Sequence, residues 1–165
     1  MNINNNNYQK NSNISRTLEI IWRNNSISRV EIARQLDLYR STVSNIINSL
    51  IEEGLVLETE EGVSRPQGGR KPIFLSLNKN FGAILGIEIQ PGNYKAVLVN
   101  LNNEVLYKCS ENLNIDSIEI CLKYIIKKVS KEAENLNIPI LAISTGLPGI
   151  VDSENCKIIN SDPFY

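Results

Sequence analysis

Arg40-Ser41-Thr42-Val43-Ser44-Asn45-Ile46-Ile47-Asn48 is the stretch on which the reading of this chain turns. Val43, Ile46 and Ile47, continued by Leu50 and Ile51, recur at three- and four-residue steps and so share one face of a helix. Ser41, Thr42, Ser44, Asn45 and Asn48 fall mostly on the other face, with Arg40 at the amino-terminal end. Solvated helix faces usually carry Lys and Glu, whereas Ser, Thr and Asn are poorer helix formers. Something other than helix stability has selected them. A helix lying in the DNA major groove needs this arrangement: short hydrogen-bonding side chains outside, aliphatic ones pinning the helix from inside. The free amides at such a helix's start also favour a phosphate.

The flanking residues complete a small unit. Ile14, Leu18, Ile21 and Trp22 predict an amphipathic helix over 13–24, ended by Asn24-Asn25. Ser28-Arg29-Val30-Glu31 is a capping box that starts a short second helix through Leu36, with Val30, Ile32, Ala33 and Leu36 inward. Asp37-Leu38-Tyr39 is the turn to the third helix, Arg40 to about Glu53, and Gly54 is its stop. Two helices joined by three residues have the spacing of a helix-turn-helix. Leu55 to Glu58 and Ile73 to Leu77 read as the two strands of a wing. Between them Ser64-Arg65-Pro66-Gln67-Gly68-Gly69-Arg70-Lys71-Pro72 sets Arg65, Arg70 and Lys71 beside paired glycines, a loop suited to a narrow, strongly negative minor groove.

The bulk numbers agree with this division. The net charge of −1 looks wrong for a nucleic-acid binder, but all seven arginines lie at or before position 70. Residues 1–80 hold ten Lys and Arg against eight Asp and Glu; residues 81–165 hold seven against ten. Arginine's planar fork suits phosphate and guanine. No apolar run approaches the roughly 20 residues that cross a bilayer. The start, Met1-Asn2-Ile3-Asn4, lacks the pattern of a secretory signal. Cys109, Cys121 and Cys156 have no metal-ligand spacing and fit reduced thiols in a cytoplasm. Residues 1–12, rich in Asn, read as a disordered tail.

A second pattern begins at Phe81. Ala83–Ile89 is an apolar strand, Pro91-Gly92-Asn93 a turn, and Tyr94–Asn100 and 104–113 two further strands. A helix follows from Asp116 and Glu119 to Leu136, then Ile140–Ser144 as a buried strand leading into Gly146-Leu147-Pro148-Gly149. The fold class is therefore α+β, with domains over 13–80 and 81–165.

Residues 14–80 resemble the ROK family of repressors and sugar kinases, in its transcriptional, xylose-type branch. The likeness rests on Ser26–Ala33, on Arg40–Asn48, and above all on Gly69-Arg70-Lys71-Pro72 with Ile73–Asn78 leading into Gly82–Ile87. Gly146-Leu147-Pro148-Gly149-Ile150-Val151-Asp152 is similar to a segment of the family's actin-like ATPase (sugar-kinase-like) lobe. The resemblance implies a winged helix-turn-helix followed by the first part of that lobe. It implies a non-enzymatic repressor of a sugar-utilisation operon, with double-stranded DNA as partner, a sugar effector in intact members, and room for a homodimer.

Three departures matter. Family kinases carry Asp-x-Gly-x-Thr after the first strand of the lobe; here that place reads Glu88-Ile89-Gln90-Pro91-Gly92-Asn93. That argues against ATP turnover and for no catalytic or cofactor residue. The family's sugar-contacting residues and cysteine-rich zinc site lie beyond position 165, so neither a sugar ligand nor a metal site is expected within this chain. Tyr39-Arg40 also stands where the family often has a Ser or Asn cap; Ser41 is the alternative. The expected DNA contacts are Arg40, Ser41, Thr42, Ser44, Asn45 and Asn48 on the helix and Arg65, Arg70 and Lys71 on the wing.

Overall fold

The computed structural model describes residues 3–24, 26–61, 73–112, 117–152, 154–155 and 157–160. The chain divides into two compact units, Met1–Lys79 and Asn80–Tyr165.

Unit 1 contains α1 (Ile3–Asn24), β1 (Ile27–Ser28), α2 (Arg29–Leu36), α3 (Arg40–Glu52), β2 (Val56–Glu61) and β3 (Ile73–Leu77). Helix α1 begins at Ile3, so residues 3–12 of the tail expected to be disordered are helical, while Met1 and Asn2 lie outside the described residues. Once a turn exists, each added residue gains a hydrogen bond without a new nucleation cost, so the amphipathic segment carries on back through the asparagines. Tyr8 on this extension is 76% exposed.

The core of unit 1 joins Ile21, Ile32, Ala33, Leu36, Val43, Ile46, Ile47 and Leu50 to Ile27, Val56 and Leu75 of the strands. The inner face of α1 is Ile14, Thr17, Leu18 and Ile21. Thr17 is fully buried because its hydroxyl donates to the Asn13 carbonyl at 2.7 Å. Trp22, expected inside, is 44% exposed. Val30 is likewise corrected: it is 51% exposed, since Ile32, Ala33 and Leu36 are the residues of α2 that turn inward.

Helix α2 begins at the expected capping box. The Glu31 amide donates to the Ser28 hydroxyl at 3.3 Å, and the Ser28 amide donates to the Glu31 carboxylate at 3.0 Å. Ser28→Ala is expected to cost about 1 kcal/mol, read as an earlier denaturant midpoint of Trp22 fluorescence. An unmoved midpoint would show that the cap adds nothing. Asp37 closes α2 in the left-handed region, with φ 53°. Helix α3 ends in a Schellman arrangement: Gly54 donates to the Ile51 carbonyl and Leu55 to the Leu50 carbonyl, with Gly54 at φ +77°.

The wing is a three-stranded sheet of order β1-β3-β2, not the expected hairpin alone. Ile27 pairs with Leu75 and Ser28 with Phe74. Strand β3 is thus held on both sides.

Unit 2 contains β4 (Ala83–Gln90), β5 (Asn93–Asn100), β6 (Val105–Asn112), α4 (Ile118–Asn135), β7 (Ile140–Gly146), β8 (Ile150–Asp152) and β9 (Lys157–Asn160). The main sheet runs β6-β5-β4-β7, with β7 parallel to β4 after the α4 crossover. Helix α4 buries Cys121, Ile125, Val129 and Ala133 against Leu85, Ile87, Tyr94 and Leu98. Glu111 fastens helix to sheet. It accepts from the Tyr94 hydroxyl at 2.9 Å, the Tyr124 hydroxyl at 3.3 Å and the Lys128 ammonium. The ammonium first, then the Tyr94 hydroxyl, holds the Glu111 carboxyl below its ordinary range. Strand β7 corrects the expectation of a buried strand: Leu141 and Ile143 are each 47% exposed. It pairs only with β4, so it is an edge of the described sheet, and only Ile140 at its start packs, partly buried, against the core that α4 shares. Strands β8 and β9, unforeseen, form a separate pair. Asp152 organises their turn by accepting from the Glu154 and Asn155 amides at 3.0 and 3.1 Å.

Candidate nucleic-acid interface

Helix α3 separates its two faces as the sequence demands. Val43, Ile46, Ile47 and Leu50 are buried, while Arg40, Ser41, Asn45 and Asn48 are exposed. Ser41, Asn45 and Asn48 stand at four- and three-residue steps, one stripe along the outer surface. Thr42 and Ser44 are half-buried on its flanks. Tyr39 occupies the cap position without a side-chain hydrogen bond, so α3 starts at Arg40 and Ser41 does not serve as cap. The amides of Arg40, Ser41 and Thr42 precede the helix's first internal hydrogen bond, which Val43 donates to the Tyr39 carbonyl at 3.1 Å. An uncapped helix start carries a partial positive charge. The exposed Arg40 side chain adds a full one.

Sequence reasoning missed Arg29. It opens α2, where the helix dipole disfavours a cation, and its partners are what hold it there. One guanidinium nitrogen donates to the Asn48 side-chain oxygen at 2.8 Å and lies 3.4 Å from the Ser44 carbonyl. The other donates to the Glu58 carboxylate at 2.9 Å. Arg29 therefore ties the start of α2, the middle of α3 and strand β2 together at one point. A cation at the first position of a helix was the signal that could have found it. Tyr39, 85% exposed at the mouth of α3, was read only as a turn residue.

Arg65, Arg70 and Lys71, the expected wing contacts, lie outside the described residues. The strands that carry their loop are described. β2 pairs with β3 from Val56–Leu77 to Glu61–Ile73, and Leu75 is fully buried beneath them.

In unit 2 the place of a kinase phosphate loop is a tight hairpin. Strands β4 and β5 pair without interruption from Ala83–Asn100 to Gln90–Asn93, leaving Pro91-Gly92 as the turn. Gly92 takes φ +79°, which suits glycine after proline. The Glu88 carboxylate accepts from the Gln90 amide at 2.6 Å and sits 3.5 Å from Lys95. A pocket of about 710 Å³ opens on this face of the sheet, floored by Gly86 and Val97 and rimmed by Glu88, Lys95 and Lys108. Among the described residues no cluster of His, Cys, Asp and Glu fits a metal ion, and no helix is long and apolar enough to cross a membrane.

Comparison with known proteins agrees with this geometry. Residues 9–56 match the winged helix-turn-helix DNA-binding family. The chain is 34% identical over 161 residues to the xylose repressor of Staphylococcus xylosus, covering 97% of this chain and 42% of that protein. It is 34% identical over 146 residues to the xylose repressor of Caldicellulosiruptor bescii, covering 86% and 36%. The DNA-binding transcriptional dual regulator NagC of Escherichia coli is 30% identical over 154 residues, covering 90% and 37%. The chain thus spans about two fifths of the length of these curated relatives. A solved ROK family transcriptional regulator, a homologue of the E. coli MLC protein, superposes with a TM-score of 0.74 at 22% identity, over 94% of this chain and 40% of that one. The likeness fixes the fold of the described units: a winged helix-turn-helix, then part of an actin-like lobe.

Proposed function

We propose that the chain belongs to the ROK family and that, like the xylose repressors it resembles, it binds duplex DNA as a sequence-specific transcriptional repressor of a sugar-utilisation operon, xylose being the sugar named for those relatives. The observation that carries this reading is the outer stripe of α3: Ser41, Asn45 and Asn48 stand exposed on a helix whose opposite face, Val43, Ile46, Ile47 and Leu50, is buried. The buried face fixes the helix, and the exposed face presents hydrogen-bonding groups of the size a major groove admits. Arg40 and the free amides beside it supply an anchor for a phosphate, and Arg65, Arg70 and Lys71, between β2 and β3 in the sequence, a second set of cations. Phosphate contacts set the register and base contacts the sequence. A homodimer would place two such helices on half-sites of a palindrome. The cytoplasm, where the operator is, is the compartment this reading requires.

A sugar kinase is disfavoured by unit 2. The Pro91-Gly92 turn offers no hydroxyl and, proline having no N–H, only the Gly92 amide to a nucleotide phosphate, and the Glu88 carboxylate beside it is engaged by Lys95 and Gln90.

The test is in vitro selection of duplexes from a randomised pool, followed by titration of the winner. Asn45→Ala is expected to relax preference at one or two base pairs by about 1–3 kcal/mol while non-specific binding stays in place. Unchanged discrimination would remove Asn45 from the reading surface, and failure to enrich any sequence would remove the repressor reading.

A further inference from the structure

We propose that Arg29 fixes the hydrogen-bonding polarity of Asn48, making it a donor-only reader that selects guanine rather than adenine. The inference rests on the DNA-binding reading above and deepens it.

A free asparagine amide offers a donor and an acceptor side by side, the pattern that matches adenine's N7 acceptor and N6 amino donor. Asn48 is not free. Arg29 donates to its side-chain oxygen at 2.8 Å. Which amide atom faces Arg29 is dictated by chemistry, because a guanidinium has only donors and its partner must be the oxygen. The guanidinium is itself anchored by the Glu58 carboxylate and the Ser44 carbonyl, and its side chain is only 27% exposed. Asn48 is exposed, so what it presents outward is the amide NH2. The oxygen keeps a second lone pair, but adenine would have to bring its N6 amino donor up beside a cation made entirely of donors. Guanine brings two acceptors, O6 and N7, to that position instead and meets no such conflict. Arg29 is thus a positioning residue: it acts on the base through Asn48.

The experiment selects duplexes with the wild-type chain and with Asn48→Ala, and takes the base pair whose preference the variant loses. That base is expected to be guanine. Replacing it with 7-deazaguanine, which lacks the N7 acceptor, is expected to weaken wild-type binding on the order of tenfold, and to leave Asn48→Ala binding unchanged. Arg29→Met, which keeps an unbranched stem and removes the donors, is expected to move the preference at that pair from guanine to adenine. An Asn48-dependent preference for any other base, an Asn48→Ala variant with wild-type preferences throughout, or a folded Arg29→Met variant that still selects guanine overturns the proposal. If Arg29→Met does not fold, the analogue duplexes decide with the wild-type chain alone. A wild-type chain that binds no duplex at all overturns the DNA-binding reading, and this one with it, which separates that failure from a wrong assignment of Asn48.

Discussion

Raising monovalent salt from about 50 to 200 mM is expected to weaken binding to a selected duplex about a hundredfold for each winged unit engaged. Four cations are proposed to meet phosphates: Arg40 at the start of α3, and Arg65, Arg70 and Lys71, which follow β2 and precede β3 in the sequence and lie outside the described residues. If each neutralises one phosphate, log Kd changes with log salt at a slope of about 3.6. Arg70→Ala should lower that slope by about one and weaken binding evenly across sequences, because a phosphate contact carries no base information. Asn45→Ala should leave the slope alone. Fluorescence anisotropy across a salt series reads both. A flat salt response would mean that the wing and the helix start do not meet phosphates, and that the exposed stripe of α3 serves some other partner.

Ile47→Ala is expected to cost unit 1 about 2–5 kcal/mol, a large part of the 5–15 kcal/mol that holds a domain together. Ile47 is fully buried on α3, in one cluster with Ile21 of α1, Ile32 of α2 and Leu75 of β3. Truncation removes its transfer free energy and leaves a cavity that four elements must share. Ile47→Val, which removes one methylene group, should cost about 0.5–1.5 kcal/mol. The chain's one tryptophan, Trp22, lies in α1, so its fluorescence follows unit 1 during denaturation without contribution from unit 2. Loss of duplex binding should track loss of folded unit 1. An alanine variant with an unchanged midpoint would contradict the packing of α3.

The elements that could be read from the chain are those whose signal is local. The faces of α3, the capping box of α2, the three-residue turn and Gly54 all follow from spacing within a few residues. What stayed hidden depends on partners far along the chain. Strand β1 is two residues long and has no period of its own; it exists because Ile27 and Ser28 find Leu75 and Phe74. Val30 satisfies the helical period, yet a helix of eight residues need not bury every apolar side chain on a wide stripe. Strand β7 is apolar enough to look buried, but only one of its edges is paired in the described sheet. The candidate site divides the same way. Arg40, Ser41, Asn45 and Asn48 were visible as a pattern, whereas the grip of Arg29 on Asn48 spans 19 positions and joins three elements. Local reading therefore identified which side chains face outward but not how one of them is oriented.

Strand β3 is the last element of unit 1 and the middle strand of its sheet. Tension applied through residue 78 runs along that strand, across hydrogen bonds that lie perpendicular to it. Bonds loaded in this direction shear together, on both flanks at once, instead of peeling open one after another. The unit is therefore mechanically stiff at the point where the chain leaves it, and a pull from downstream would be passed to Ser28, the cap of α2, before any strand let go.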